Sequence, residues 1–305
     1  MARRKPATVH GLLAIDKPAG ITSHDVVDRV RRLLHERKVG HSGTLDPDAT
    51  GVLLLGVGDA TRLLRYLDVV PGGTVESPVT SKAYTAEVVL GTETSTLDAS
   101  GKVTATHDMS EVVTGLTIES LQRVVDANLS GPIMQVPPMV SALKVDGKGL
   151  HELAREGVEV ERQARPVTVH HFAVEPTSDK SVFRIDVTVS SGTYVRSLAA
   201  DLGTALGGGA HLRKLRRHSI GPYDERESGS IDNAPLLPPL EALRLAKQVT
   251  VDAETARLVA NGRRLPKFEG NGPWALVDER GALIGVYELI ENEAVPAVVL
   301  AEPVS

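Results

Sequence analysis

The chain of 305 residues has no cysteine, which excludes disulfide frameworks, thiolate nucleophiles and Cys-ligated zinc or iron–sulfur centres. Aromatic side chains are sparse, with one Trp, five Tyr and three Phe. That is too few to tile a wide stacking surface for long single strands, and it makes each tyrosine in a polar motif more informative. No apolar run reaches the ~18–20 residues of a membrane helix, and the opening MARRKPATVH has no apolar stretch to serve as a secretory signal. A cytoplasmic protein without membrane contact is expected. A Gly-x-x-x-x-Gly-Lys-Ser/Thr phosphate loop and a His-Glu-x-x-His zinc motif are also missing.

What remains is an ordinary globular mixture, 41% hydrophobic and 24% charged, long enough for about two domains. The net charge of −5 is unevenly spread: from Tyr223 onward there are 8 basic and 14 acidic residues, whereas residues 1–222 carry 26 against 25. Two basic clusters lie in the earlier part, Arg29, Arg31, Arg32, Arg37 and Lys38, and then Arg213, Lys214, Arg216 and Arg217. Such stripes bind phosphate, or serve as solvated helix faces and charged strand edges.

Gly11–Ile15 has the pattern of a short buried strand, closed by the breaker-rich Asp16-Lys-Pro-Ala-Gly20. A helix follows, capped by Thr22 or Ser23, with Val26, Val27, Val30, Leu33 and Leu34 on one face. Val52–Val57 is a second buried strand, and Asp59 is placed to cap a short helix reaching Tyr66. Residues 68–82 are loop-like, Lys82–Leu90 is a strand, and 91–110 has the Thr/Ser/Asp/Gly composition of a long mobile loop. A helix over 117–128, strands near 166–174 and 181–190, and a helix over 194–206 come next. Asn233–Pro239 is the best boundary, and beyond it a hairpin turning at Asp278–Gly281 points to a small β-rich unit.

The stretch richest in potential chemistry is Gly40-His-Ser-Gly-Thr-Leu-Asp-Pro-Asp-Ala-Thr-Gly51. It presents one carboxylate, Asp46, before a proline that favours an extended backbone, between glycines that allow close approach. Ionised at neutral pH, such a group serves as nucleophile or base; Leu-Asp-Pro-Asp is equally an ordinary turn. A metal set of His41, Asp46 and Asp48 is a further reading, and no second acid stands in a comparable motif for a paired-carboxylate glycosidase.

That stretch resembles the signature of the TruB family of pseudouridine synthases. Leu13-Ala-Ile-Asp-Lys-Pro-Ala-Gly-Ile-Thr-Ser23 resembles the family's N-terminal motif, and Lys82-Ala-Tyr84 with Leu90-Gly-Thr-Glu-Thr-Ser-Thr-Leu-Asp-Ala-Ser-Gly101 its second. Val136–Lys144, Arg165-Pro-Val167, Ser191–Gly203 and Gly209–Arg217 continue in family order. The resemblance runs from about Gly11 to Tyr223.

It implies isomerisation of uridine 55 in the tRNA T loop, without cofactor or metal and without protein partners. Asp46 matches the catalytic aspartate; attack on the ribose, addition to the ring and assistance to deprotonation are all compatible with a carboxylate there. Tyr84 matches the tyrosine that stacks on the flipped base and removes the carbon 5 proton, and Arg196 the arginine that pairs with the aspartate and keeps it charged. Tyr194 and Leu215 match pocket-wall residues, and His41 the histidine that fills the space left by the flipped nucleotide. Lys17, Arg213, Lys214, Arg216 and Arg217 are phosphate contacts by the same argument.

The fold implied is α+β, a pseudouridine-synthase catalytic domain on a central, largely antiparallel sheet plus a small C-terminal PUA-like β-barrel. The expected layout is a basic tail over 1–9, a catalytic domain over 10–240 with a mobile RNA-gripping insertion at 68–110, and the PUA-like domain over 249–302, with Arg263, Arg264 and Lys267 as candidate contacts. Two rivals stand beside it: a non-catalytic tRNA-binding or RNA-folding protein, and a guide-RNA-directed synthase of the dyskerin kind.

Overall fold

The structure, a computed structural model, describes residues 7–70, 72–73, 81–141, 158 and 160–300, together with the backbone of 144–145 and 148–149. The strands of the first part are β1 (Gly11–Lys17), β2 (Val39–Ser42), β3 (Thr50–Val57), β4 (Ser81–Leu90), β5 (Thr92–Thr94), β6 (Val103–Thr106) and β7 (Gly131–Gln135). After the short pair β8 (Lys144–Val145) and β9 (Lys148–Gly149) come β10 (Arg165–Pro176), β11 (Val182–Ser190), β12 (Ala210–Ile220) and β13 (Tyr223–Asp224). The last are β14 (Lys247–Thr250), β15 (Leu265–Pro266), β16 (Trp274–Val277), β17 (Leu283–Ile290) and β18 (Glu293–Val299). The chain forms two compact units, one of Met1–Pro47, Gly51–Thr80 and Ser219–Ser305, the other of Asp48–Thr50 and Ser81–His218.

In the first unit β3 is paired antiparallel with both β1 and β2. The unbroken apolar run of β1 has a simple cause: both of its faces are buried. Leu13 and Ile15 pack with Val26, Val27 and Val30 of the helix Ser23–Leu33, while Leu12 and Ala14 share a core with Leu63, Tyr66, Tyr223, Leu243, Ala275, Val286 and Val298. The C-terminal sheet, ordered β14-β16-β17-β18-β15, therefore packs against the opening strands of the chain. Its opposite face holds a second core around Trp274, Leu276 and Tyr287. The hairpin turn lies where expected, with the Asp278 carboxylate accepting the N–H groups of Arg280 and Ala282 and Gly281 at φ 80°. Asn233–Pro239, expected as a boundary, is held to β1 by paired backbone hydrogen bonds between Leu237 and Leu12.

Thr22 caps the first helix in a capping box with Asp25. Leu33, expected on its buried stripe, is 47% exposed at the end of the helix, whereas Leu34 packs against the core. Asp59 does not cap: the 3-10 turn Gly58–Arg62 has no side-chain cap, and the Asp59 carboxylate takes the Lys38 ammonium at 2.6 Å instead.

In the second unit the strands are ordered β12-β4-β11-β10-β7, and the β4–β11, β11–β10 and β10–β7 pairs are antiparallel. Burial alternates along β4: Tyr84, Ala86, Val88 and Leu90 are buried, and the residues between them are half-buried. The stretch 91–110, expected as a long mobile loop, contains the β5–β6 hairpin and the start of the helix Ser110–Gly115. Asp98 organises its turn, accepting Thr96 Oγ1 and the Ser100 N–H on its carboxylate and Thr94 Oγ1 on its carbonyl. Most of 68–82 lies outside the described residues.

Among the described residues of the first unit Glu36 is the one buried carboxylate, 7% exposed. It accepts the N–H groups of Lys38 at 2.9 Å and Thr8 at 3.0 Å, and these backbone bonds, Lys38 foremost, hold its pKa below the ordinary value. Replacement by Ala is expected to cost about 1–3 kcal/mol. Because the folded pKa is depressed, the deficit in urea-melt stability is full above about pH 4.5 and closes as the pH falls through the lowered native value.

Candidate active site

Asp46 lies in the connection between β2 and β3, half-buried, and both of its neighbours are fixed by the segment that follows β1. On one side, Leu45 donates its N–H to Ser23 Oγ at 2.9 Å while the same hydroxyl donates to the Leu45 carbonyl at 3.1 Å. On the other, the Pro47 carbonyl accepts the Gly20 N–H at 3.0 Å and the Lys17 ammonium at 2.8 Å. Gly20 has φ 84°, the left-handed region that a glycine adopts without strain. The two sequence motifs are therefore one structural device: Lys17–Ser23 is the mould in which the Asp46 loop is set.

Lys17 is the clearest departure from expectation. It is 0% exposed, and its three N–H donors go to the carbonyls of Pro18 at 2.9 Å, Ile21 at 2.7 Å and Pro47 at 2.8 Å. An ammonium spent in this way is a clamp for backbone carbonyls, and no donor is left for an RNA phosphate. His41 lies on β2, half-buried, opposite Leu55.

In the second unit Tyr84 is 7% exposed on the buried face of β4, opposite Val187. Arg196 sits in the first turn of the helix Val195–Ala205 and is 4% exposed. Its guanidinium donates from Nη1 to the Thr96 carbonyl and from Nη2 to the Val140 carbonyl, both at 2.8 Å, and lies 3.7 Å from the Asp98 carboxylate. A buried cation at the positive end of a helix is unfavourable unless fixed dipoles and charge compensate it, and these three acceptors do so. Tyr194, at the helix N-cap, and Leu215, on β12, are both half-buried.

The basic run of β12 is divided. Lys214 has φ 53°, in the left-handed region, within β12, and Arg213 and Lys214 both reach the same carboxylate, Glu87, at 2.6 and 2.9 Å. Glu87 is held below its ordinary pKa by Lys214 first and then Arg213. By strand alternation it lies on the face of β4 opposite Tyr84. Arg217 is 1% exposed and is no surface phosphate contact, whereas Arg216 is half-buried. Among the described residues no three His, Asp or Glu side chains come together to hold a metal ion.

The sequence offers Ser23 only as a cap candidate and Asp98 only as part of a motif, and gives no sign of Glu87, whose partners Arg213 and Lys214 lie more than a hundred residues away.

Residues 31–195 match the model of the TruB family pseudouridylate synthase N-terminal domain, and 196–233 that of the tRNA pseudouridylate synthase B C-terminal domain. The chain belongs to the TruB family. It is 43% identical over 306 residues to a protein of Streptomyces coelicolor named tRNA pseudouridine synthase B, covering 95% of this chain and 97% of the relative. A protein of the same name from Thermobifida fusca is 42% identical, with 95% and 98% covered. Among solved structures, a chain of an H/ACA RNP bound to a substrate RNA containing 2'-deoxyuridine matches with TM-score 0.66 at 20% identity, covering 97% of this chain and 85% of that one. One from a Cbf5-Nop10-Gar1 complex matches with TM-score 0.66 at 23% identity, covering 96% and 84%. These two likenesses bear on the fold alone.

Lys17→Met keeps the length of the side chain but removes the donor shared by three part-buried carbonyl bonds. It is expected to lower stability by about 2–3 kcal/mol and to cut the turnover of this TruB-family chain about 10–100-fold by releasing the Asp46 loop. Thermal melts and turnover measured on the purified protein check both.

Proposed function

We propose that this chain is a tRNA pseudouridine synthase that acts on uridine 55 of the T loop, alone and in the cytoplasm. The family, and relatives named for that reaction over nearly their whole length, support the activity. The observation that carries the assignment to this chain is the setting of Asp46, a half-buried carboxylate whose two neighbours are hydrogen-bonded in place by Lys17, Gly20 and Ser23. A group so pre-organised loses little on engaging its target.

The chemistry needs no external atoms. The bond between uracil nitrogen 1 and the ribose breaks, the base turns, carbon 5 bonds to the ribose, and the carbon 5 proton leaves as nitrogen 1 gains one. Asp46 supplies the carboxylate for glycosidic cleavage, Tyr84 covers the base and takes the carbon 5 proton, and Arg196 supplies the fixed guanidinium. His41, Tyr194 and Leu215 are the residues assigned to a nucleotide swung out of its loop. Unstacked loop bases are what proteins read in RNA, so the T-loop shape selects the substrate.

Arg213, Lys214 and Arg216 remain candidates for backbone contact; for the first two a phosphate must compete with Glu87. The insertion at 68–110 grips the RNA, and the region 249–302, PUA-like in its five strands, assists through residues such as Arg263 and Lys267. Arg264 is less available, being paired with Glu293 at 3.0 Å.

Incubation of an unmodified tRNA transcript with the purified chain, followed by chemical mapping, is expected to give pseudouridine at position 55 alone, with chelator present and no guide RNA added. A transcript with cytidine at that position is expected to remain unmodified. Tight binding without any pseudouridine would favour the tRNA-binding reading, and a requirement for guide RNA the dyskerin-like one.

A further inference from the structure

The helix that carries Arg196 begins against two local rules. Its N-cap is Tyr194, whose side chain makes no capping hydrogen bond, and its first turn holds a cation and no acid. Helix starts of this kind need support from elsewhere. It comes from Gln135, the last residue of β7 and 2% exposed. Its amide oxygen accepts the Tyr194 N–H at 2.8 Å, and its amide nitrogen donates to the Tyr194 carbonyl at 3.1 Å. That same carbonyl accepts the Leu198 N–H at 3.2 Å, the first turn of the helix.

The chain beyond Gln135 continues the contact. The Val136 carbonyl accepts Ser197 Oγ at 3.0 Å, and the Val140 carbonyl accepts Arg196 Nη2 at 2.8 Å. Gln135 is thus the first of three successive attachments between the 135–140 segment and the residues flanking and including Arg196. It is the attachment that fixes the backbone from which the arginine side chain projects.

We propose that Gln135 is a positioning residue for the reaction, an amide clip that holds the backbone of Tyr194 at an otherwise uncapped helix start and sets where the Arg196 guanidinium lies. The inference rests on the proposed role of Arg196 in pseudouridine formation. A comparison within the same unit separates positioning from simple support. Gln122 makes the same kind of two-bond amide clip, donating to the Phe172 carbonyl at 2.7 Å and accepting the Val174 N–H at 3.2 Å, and ties the helix Ile118–Asn128 to β10 rather than to the Arg196 turn.

The experiment is steady-state kinetics on unmodified tRNA for wild type, Gln135→Met, Gln135→Glu and Gln122→Met, with thermal melts of each. Gln135→Met is expected to lower kcat about 10–100-fold with KM within about twofold. Gln122→Met is expected to keep kcat within about twofold while losing a comparable part of its thermal stability. Equal loss of kcat in both variants, wild-type kcat in Gln135→Met, or a change confined to KM would overturn the proposal. If Gln135→Met does not fold, Gln135→Glu decides, since it keeps the acceptor for the Tyr194 N–H and loses the donor: reduced kcat at unchanged KM supports the clip, and wild-type kcat overturns it. Absence of pseudouridine in the wild-type arm would count against the proposed function itself, so the two failures are distinct.

Discussion

The bonds of the Lys17 ammonium to the carbonyls of Pro18, Ile21 and Pro47 are the constraint on which the candidate site most depends. A buried cation is tolerated only when its donors are met, and here the acceptors come from two loops far apart in sequence. The requirement to satisfy the charge thus fixes the distance between the end of β1 and the Asp-Pro turn. Ser23 adds a second fixed point at Leu45, and Asp46 is left between them with little backbone freedom. The double-sided burial of β1, between the first helix and the C-terminal sheet, gives this arrangement a rigid base.

A second theme is how much of the positive charge is already spent. Arg29 is paired with Asp232, Lys38 with Asp59, and Arg213 and Lys214 with Glu87. Lys17 and Arg217 are buried outright. The clusters visible in the sequence are therefore largely structural, and binding of a polyanion draws on fewer cations than their number suggests. Exposed pairs such as Lys214 with Glu87 are weak enough for a phosphate to exchange with the carboxylate, whereas the bonds of Lys17 and Arg196 are not exposed to that competition.

Much of the fold was legible because local and tertiary demands agree. The strand Lys82–Leu90, the capping residue of the first helix, the hairpin at Asp278 and the paired strands near 166–174 and 181–190 all follow from pattern and turn chemistry. The 91–110 segment was misread because its Thr, Ser and Asp side chains look like those of a loop, while their hydroxyls and carboxylates close a tight turn on Asp98. At the candidate site, motifs singled out Asp46, Tyr84 and Arg196, but composition could not tell a phosphate-binding lysine from a carbonyl-binding one. Residue type fixes the charge of Lys17; only the fold decides that its partners are carbonyls. Gln135 and Glu87 escaped notice for the same reason, as their meaning lies in contacts distant in sequence.

The central claim is that the Asp46 carboxylate carries out the chemistry and is not merely part of an RNA-binding loop. The most direct test is tritium release from tRNA labelled at uracil carbon 5, by wild type and by Asp46→Asn, with tRNA affinity measured on the same preparations. Stoichiometric release by wild type, and none by Asp46→Asn at undiminished affinity, is the expected result. Release by Asp46→Asn at the wild-type rate, or tight binding by wild type without release, would contradict it.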